Sequence, residues 1–304
     1  MEHSLETLSE CPSCNKTGFT KQLSCIDHTY SKSSFDIVSC SSCELHFTNP
    51  RPNENNIGSF YDSPDYVSHT DTNKGLLFRL YGIVKNYTLS QKRKLLERLS
   101  NEKTVLDYGA GSGDFSNELA TSGWEVSSFE PDRNARKLIQ EKNSSIELID
   151  SLESVRDKSK SVIALWHVLE HVHRLQETIE HFNRILTDDG KLFIAVPNHT
   201  SYDAKFYADG WAAYDVPRHL YHFDPATIET MMNSQGFTLI DTKPMWFDSY
   251  YVSLLSEKNS SDKGLLKSII GWGRAFIIGS ISNLKALNNT KKCSSVTYVF
   301  EKAV

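Results

Sequence analysis

The stretch Lys103–Phe115, KTVLDYGAGSGDF, constrains this chain more than any other. Thr104-Val105-Leu106-Asp107 reads as a short apolar strand that ends on an acid, and Phe115–Thr121 reads as a helical segment. Between them Gly109, Gly111 and Gly113 fall at alternate positions. Glycine takes positive φ without a Cβ penalty and lets a ligand lie against the main chain. A strand, such a loop and then a helix are the parts of an α/β sheet that binds its ligand at the carboxyl ends of the strands.

The spacing also selects the ligand. A dinucleotide loop has the pattern GxGxxG and sets a pyrophosphate on the helix N-terminus. Here the glycines alternate, and Asp107 at the strand end would sit beside a cationic group. S-adenosylmethionine has no phosphate, but it carries an ammonium and a sulfonium. A second strand, Glu125–Phe129, is followed by Glu130, 17 residues past Gly113 (130 − 113). An acid at that point accepts both hydroxyls of a ribose.

With these residues in view, residues 103–245 resemble the class I S-adenosylmethionine-dependent methyltransferases. The match rests on VLDYGAGSGDF, FEPD at 129–132, ALWHVLEHV at 164–172 and LTDDGKLFIAVPN at 186–198. The resemblance implies an α/β fold with a Rossmann-like, seven-stranded, doubly wound sheet. Gly236–Ile240 and Ser295–Phe300 would be its last two strands, paired, with one antiparallel to the rest. It also implies that Asp107, Gly109, Ala110, Gly111 and Gly113 hold the methionyl part, and that Glu130, next to Pro131, holds the ribose. Asp150 or the main chain after it would meet the adenine, and Trp166 and His167 would line the pocket. Many relatives open strand four with Asp; this chain has Lys160-Ser161-Val162, with little expected effect on chemistry.

Methyl transfer is an in-line displacement, so donor and acceptor must be aligned and water excluded. A hydroxyl acceptor also needs a base. Strand four carries no [Asn/Asp]-Pro-Pro-[Tyr/Phe], the pattern of methylases acting on exocyclic amines; LEHV instead resembles the ubiquinone-biosynthesis O-methyltransferase type, in which Glu170-His171 would open the next helix. A second histidine group follows strand five, Asp215-Val216-Pro217-Arg218-His219-Leu220-Tyr221-His222-Phe223. The aromatic cluster before it, Tyr202, Phe206, Tyr207, Trp211 and Tyr214, suits a flat or apolar acceptor, unless it only caps the sheet. His167, His171 and His219 are therefore the candidate catalytic residues. If residues 167–171 are helical, His167, Glu170 and His171 share one face and join His219 in a four-ligand set. Such a set resembles the divalent-metal centre of small-RNA 3′-terminal 2′-O-methyltransferases, whose motif has Glu where this chain has His167. The same layout without metal leaves a plain histidine base.

The N-terminal region carries an independent signal. Cys11-Pro-Ser-Cys14 and Cys40-Ser-Ser-Cys43 are two CxxC pairs separated by 25 residues (40 − 14 − 1). Two such turns complete a closed tetrahedron of thiolates, which suits a structural zinc. Cys25 and His28 are spare. Residues 1–50 thus read as a zinc-ribbon-like knuckle. Residues 51–100 read as a helical linker or lid that includes Phe60, Tyr61, Tyr66, His69 and helically spaced apolar positions from Leu76 to Leu99. Residues 101–304 read as the methyltransferase domain, with an insertion at ~247–293. That insertion is expected to be an amphipathic helix broken at Gly271 and Gly273, packed on the core or on a second subunit, or lying at a lipid interface.

Charge and composition narrow the partners. A net charge of -5 argues against a long nucleic acid, and residues 1–60 hold 7 acids against 4 bases. The basic run at 74–103 reads as a solvated helix face. No apolar run reaches the ~20 residues of a membrane span, and the polar start lacks a leader, so a cytoplasmic enzyme with reduced cysteines is expected. The acceptor is expected to be a small molecule: a lipid, quinol, sugar or secondary metabolite. The competing readings are an RNA methyltransferase gripping RNA through its knuckle and a non-catalytic cofactor-binding protein.

Overall fold

In a computed structural model of the chain, the described residues are 5–61, 76–260 and 265–303. Tyr66, His69 and Lys74 lie outside them. The first part forms two small sheets. Strand β1 (Leu5–Glu6) pairs with β5 (Arg51–Pro52). Strands β2 (Phe19–Ile26), β3 (Ser34–Cys40) and β4 (His46–Thr48) form an antiparallel meander, and β3 delivers the second cysteine turn. The meander does not end with the knuckle. Strand β11 (Tyr221–His222), from the second histidine group, pairs with β4 and completes a four-stranded sheet.

The expected single or double helix before the glycine loop is one helix, α1 (Leu76–Leu99). The main sheet alternates strand and helix: β6 (Thr104–Tyr108), α2 (Asp114–Thr121), β7 (Glu125–Phe129), α3 (Arg133–Lys142), β8 (Glu147–Ile149), β9 (Lys160–Trp166), α4 (Leu175–Ile185) and β10 (Leu186–Pro197). After α5 (Tyr202–Tyr207) and β11 come α6 (Pro225–Ser234), β12 (Phe237–Pro244), α7 (Asp248–Ser260), α8 (Leu265–Asn288) and β13 (Ser295–Lys302). The strand order is β12-β13-β10-β9-β6-β7-β8, with β13 antiparallel to both neighbours. This is the expected seven-stranded sheet.

Neighbouring strand residues point to opposite faces, and both faces are covered. Leu106, Ile163, Leu165 and Ile194 pack with Phe182 of α4 and Met231 of α6, in a cluster that continues into Cys11, Leu45 and Phe47 of the knuckle. Val105, Val162, Phe193 and Val299 pack on the other face with Leu96 of α1 and Phe115 of α2. The sheet is therefore doubly wound. Lys160 donates to Ser127 Oγ at 2.7 Å near the amino end of its strand, at the opposite end from Trp166, which fits its small expected effect on chemistry.

Two local expectations are overturned. Helix α8 runs unbroken through Gly271 and Gly273. A glycine costs about 1 kcal/mol in a helix but does not end it, and here close packing uses the missing side chains. A Cβ on Gly279 would come within 2.8 Å of Tyr250 Cδ1 and 3.0 Å of Ser249 O. The other concerns residues 167–171. His167 has φ 59, Leu169–His171 form a single 3₁₀ turn, and the next helix opens only at Leu175. The left-handed residue at the strand end breaks the helical spacing that would have aligned His167, Glu170 and His171.

Candidate active site

The glycine loop turns as expected, and its glycines have different tasks. Gly109, Gly111 and Gly113 all have positive φ, at 77, 54 and 73. A Cβ on Gly109 would lie 2.4 Å from Val168, and one on Gly113 would lie 2.6 Å from Ile139, so these two permit close packing. At Gly111 a Cβ would meet nothing within 4 Å, which leaves its main chain open to a ligand. Glu130 is 9% exposed. It accepts from Gly111 N at 2.7 Å and from Asp132 N at 2.9 Å, so it ties the second strand to the loop.

Asp107 turns inward. It is 2% exposed and accepts from Ser116 Oγ at 2.5 Å, and burial pushes its carboxyl up to about 6. Its place beneath the loop makes it an anchor for α2. A cavity of 540 Å³ opens beside the loop and is lined by Gly109, Phe129, Pro131, Asp150, Leu152, Tyr61 and His171. The Asp150 side chain, 91% exposed, pairs with Arg136 at 2.6 Å. Trp166 faces a second cavity of 410 Å³ together with Lys92, Phe247 and Asp248. Lys92 Nζ sits 4.3 Å from the centre of the Trp166 ring, and burial brings it down to about 8. Ala110, Gly111, Gly113 and Glu130 surround the loop but do not line either cavity.

The histidines separate into two roles. His167 lies 2.8 Å from Asp248 Oδ2 through Nε2 and 3.4 Å from Glu170 Oε1 through Nδ1. Burial opposes its charge, but Asp248 and Glu170 outweigh that and carry it up to about 10. Held as a cation by these two carboxylates, it has no free ring nitrogen to accept a proton at neutral pH. Glu170, His171 and His219 bring their ligand atoms within 4.8 Å of one another. His171 Nδ1 is 3.0 Å from Arg218 O and 2.9 Å from Tyr61 Oη. His219 Nδ1 is 2.8 Å from Ala213 O. A main-chain carbonyl only accepts, so each Nδ1 carries a proton, and in a neutral ring the lone pair is then on Nε2. Burial and the neighbouring His219 bring His171 down to about 4, so it is neutral.

The second histidine group is held by the knuckle. Thr48 Oγ1 donates to His219 O at 2.8 Å and lies 3.0 Å from His222 Nε2. Leu220 O accepts from Thr48 N at 3.0 Å, and Leu220 N donates to Glu170 O at 2.7 Å. The expected acceptor cluster behaves otherwise. Trp211 and Tyr214 are buried against Phe35, Ile37 and Phe60, and Tyr207 donates to Glu257 at 2.9 Å. None of the five aromatic residues lines either large cavity. Lys92, expected on a solvated helix face, is instead buried over Trp166. Asp248 and Tyr61 received no role from the sequence, because each reaches the site across a long stretch of chain and no local pattern marks it.

The four knuckle cysteines do converge. Cys11 Sγ is 3.5 Å from Cys43 Sγ, Cys14 Sγ is 3.6 Å from Cys40 Sγ, and all four lie within 4.8 Å of one another. Zinc–thiolate bonds of ~2.3 Å in a tetrahedron put sulfurs about 3.8 Å apart, so the set fits zinc. Cys25 stays apart, buried beneath Phe35.

A family model described as a methyltransferase domain matches residues 84–242, from within α1 to within β12. The chain belongs to this methyltransferase family. It is an S-adenosylmethionine-dependent methyltransferase. Among its relatives are the ubiquinone biosynthesis O-methyltransferases of Rickettsia akari (strain Hartford) and Rickettsia bellii (strain OSU 85-389). The first is 24% identical over 198 residues, covering 60% of this chain and 79% of that protein. The second is 23% identical over 212 residues, covering 64% and 86%. Two solved structures share the fold at 14% identity. One is a methyltransferase from Haloferax volcanii in complex with the Trm112 methyltransferase activator, with a TM-score of 0.51 over 74% of this chain and 93% of that one. The other is described as a sarcosine dimethylglycine methyltransferase from Galdieria sulphuraria, with a TM-score of 0.50 over 74% and 88%.

Proposed function

We propose that this methyltransferase transfers the methyl group to a hydroxyl oxygen of a small, flat or lipid-linked acceptor, with His171 or His219 as the base. The observation that carries the reading is the pair of Nε2 lone pairs, held by main-chain carbonyls on both Nδ1 atoms beside Glu170. Bound S-adenosylmethionine supplies an electrophilic methyl group. The residues suited to hold it are Gly109, Gly111 and Glu130 for the loop and ribose, with Pro131, Asp150 and Leu152 on the adenine side. At the His171 end of the 540 Å³ cavity that Gly109, Pro131 and Asp150 line, a neutral Nε2 takes the proton of the acceptor hydroxyl, and Tyr61 and Arg218 O hold the ring still. The relatives named as O-methyltransferases support an oxygen acceptor.

The test is an extract incubated with cofactor carrying a labelled methyl group, read by mass spectrometry for the labelled product. On that product, His171→Ala and His219→Ala are expected to lower turnover about 10²- to 10⁴-fold while cofactor binding persists. Full turnover in both variants removes the histidine base.

Glu170 favours a second reading. Its side chain is 0% exposed, and beyond the ion pair of Oε1 with His167 Nδ1 at 3.4 Å neither carboxylate oxygen has a hydrogen-bond partner among the described residues. Two lone-pair nitrogens and this carboxylate form an acceptor-only set whose chemistry fits a divalent cation. Such an ion supplies Lewis-acid binding of vicinal hydroxyls. Turnover that survives thorough chelation with the cysteine site still loaded rules this reading out.

A further inference from the structure

Helix α8 carries an apolar face that the described chain does not cover. Ile269, Ile270, Trp272, Ile277, Leu284 and Leu287 are each 57–66% exposed. On the helical wheel they lie opposite Ala275, Ile278, Ser282 and Ala286, which are buried. Phe276, 66% exposed, extends the face by stacking on Tyr250 with ring centres 5.4 Å apart. A soluble monomer rarely leaves so many large apolar side chains side by side in water.

The charge around this face says what covers it. Residues 269–292 hold four basic side chains and no acidic one in a chain whose net charge is -5: Lys285 and Lys292, with Arg274 and Lys291 paired to Glu257 and Glu229. An apolar face bordered by Lys and Arg is the pattern of a helix lying in the headgroup layer of an anionic bilayer. Among the described residues no helix is long and apolar enough to cross a membrane, so α8 would lie on it.

The apolar surface also runs into a cavity. Asn283 Nδ2 donates to Trp246 O at 2.8 Å, which sets the second half of α8 beside the rim of the 410 Å³ cavity. That rim carries Trp246 and Phe247, 38% and 39% exposed, with Tyr87 edge-on to Phe247 at 6.1 Å. Lys94, Arg98 and Lys243 line the same cavity. Apolar and basic groups thus continue from the helix to an opening that reaches Trp166.

We infer that the exposed face of α8 docks this methyltransferase on an anionic lipid surface, with the 410 Å³ cavity opening toward that surface. The docking is independent of which atom accepts the methyl group.

The full chain is mixed with vesicles of phosphatidylcholine alone or with phosphatidylglycerol added, and bound protein is separated by flotation. The wild type is expected to float with the anionic vesicles, less so at high salt. A Trp272→Asp/Ile277→Asp variant with an unchanged circular-dichroism melt is expected to bind at least ~10-fold more weakly. Ile270→Asp provides a second variant should the double one melt early. A wild type that stays in the aqueous fraction, or variants that float equally well, overturns the inference. So does a wild-type dimer that these variants split without any lipid binding, because a second copy would then cover the face.

Discussion

Arg218 Nη2 lies 3.0 Å from Asp27 Oδ1, with the two side chains 1% and 0% exposed. Arg218 also binds Asp215, through Nη2 at 2.6 Å, and Phe60 O. One guanidinium thus joins the knuckle hairpin, the segment that carries Tyr61 and the loop that carries His219. Asp27 meanwhile accepts from the main-chain N–H groups of Thr29, Tyr30 and Ser31.

Removing that guanidinium strands Asp27 away from water. Arg218→Met is expected to destabilise the protein by about 3–5 kcal/mol, because an unpaired buried charge costs more than the pair contributes. Asp27→Asn in the same chain should recover part of the loss. Urea unfolding of the two variants and the wild type measures this, and a single-variant loss under about 1 kcal/mol contradicts it.

Disrupting the four-cysteine cluster should reach the histidine site before the cofactor site. Thr48, five residues past Cys43, binds His219 and His222, whereas β6, β7 and β8 pair only within the main sheet. A Cys14→Ser variant is expected to lose turnover about 10-fold or more, with cofactor affinity changed only a few-fold. Calorimetric titration beside an activity assay decides it, and unaltered turnover in a metal-free variant would sink the link.

The His167–Asp248 pair gives a pH signature. The pair raises the imidazolium to about 10, above its ordinary 6.5. Its stabilisation is therefore complete below pH about 6.5 and is lost as pH rises through about 10. The melting temperature of the wild type should fall toward that of His167→Gln across this window. A gap between the two that stays constant across it excludes a charged His167.

Glu170→Gln keeps the shape of the buried side chain and removes its charge. It is expected to lower turnover about 10- to 100-fold without weakening cofactor binding. If a divalent ion is held there, adding one restores chelated wild type but not the variant. A fully active Glu170→Gln places the carboxylate outside the chemistry.

The glycine loop separates stability from binding. Gly113→Ala drives a Cβ to 2.6 Å from Ile139 Cγ1 and 3.2 Å from its Cα, and is expected to cost about 1–3 kcal/mol. Gly111→Asn meets open space in the protein, and asparagine tolerates its φ of 54, so this change should chiefly weaken the cofactor. Equal losses of melting temperature in the two variants would refute this division.

Some of this protein was legible in the chain because short-range physics writes it there. Alternating glycines after Thr104–Asp107, the acid at Glu130 and the two CxxC turns are local patterns, and each local pattern dictates its own main-chain geometry. The structure forms the glycine turn, sets Glu130 against it and brings the four cysteines together. Local reading failed at His167 and Gly271. A left-handed residue ended the helical spacing at the first, and at the second the helix runs on because one glycine lowers its stability by only about 1 kcal/mol. The charge of His167 depends on Asp248, 81 residues away, and the placing of His219 depends on Thr48, 171 residues away. Trp211 and Tyr214 turned inward because the knuckle sheet, closed by β11, offered them a core, while Phe206 stayed exposed. The sequence alone determined the cofactor loop and the cysteine turns. Which histidine is a cation and which keeps a lone pair was decided only by tertiary structure, because burial and charged partners come together only in the folded chain.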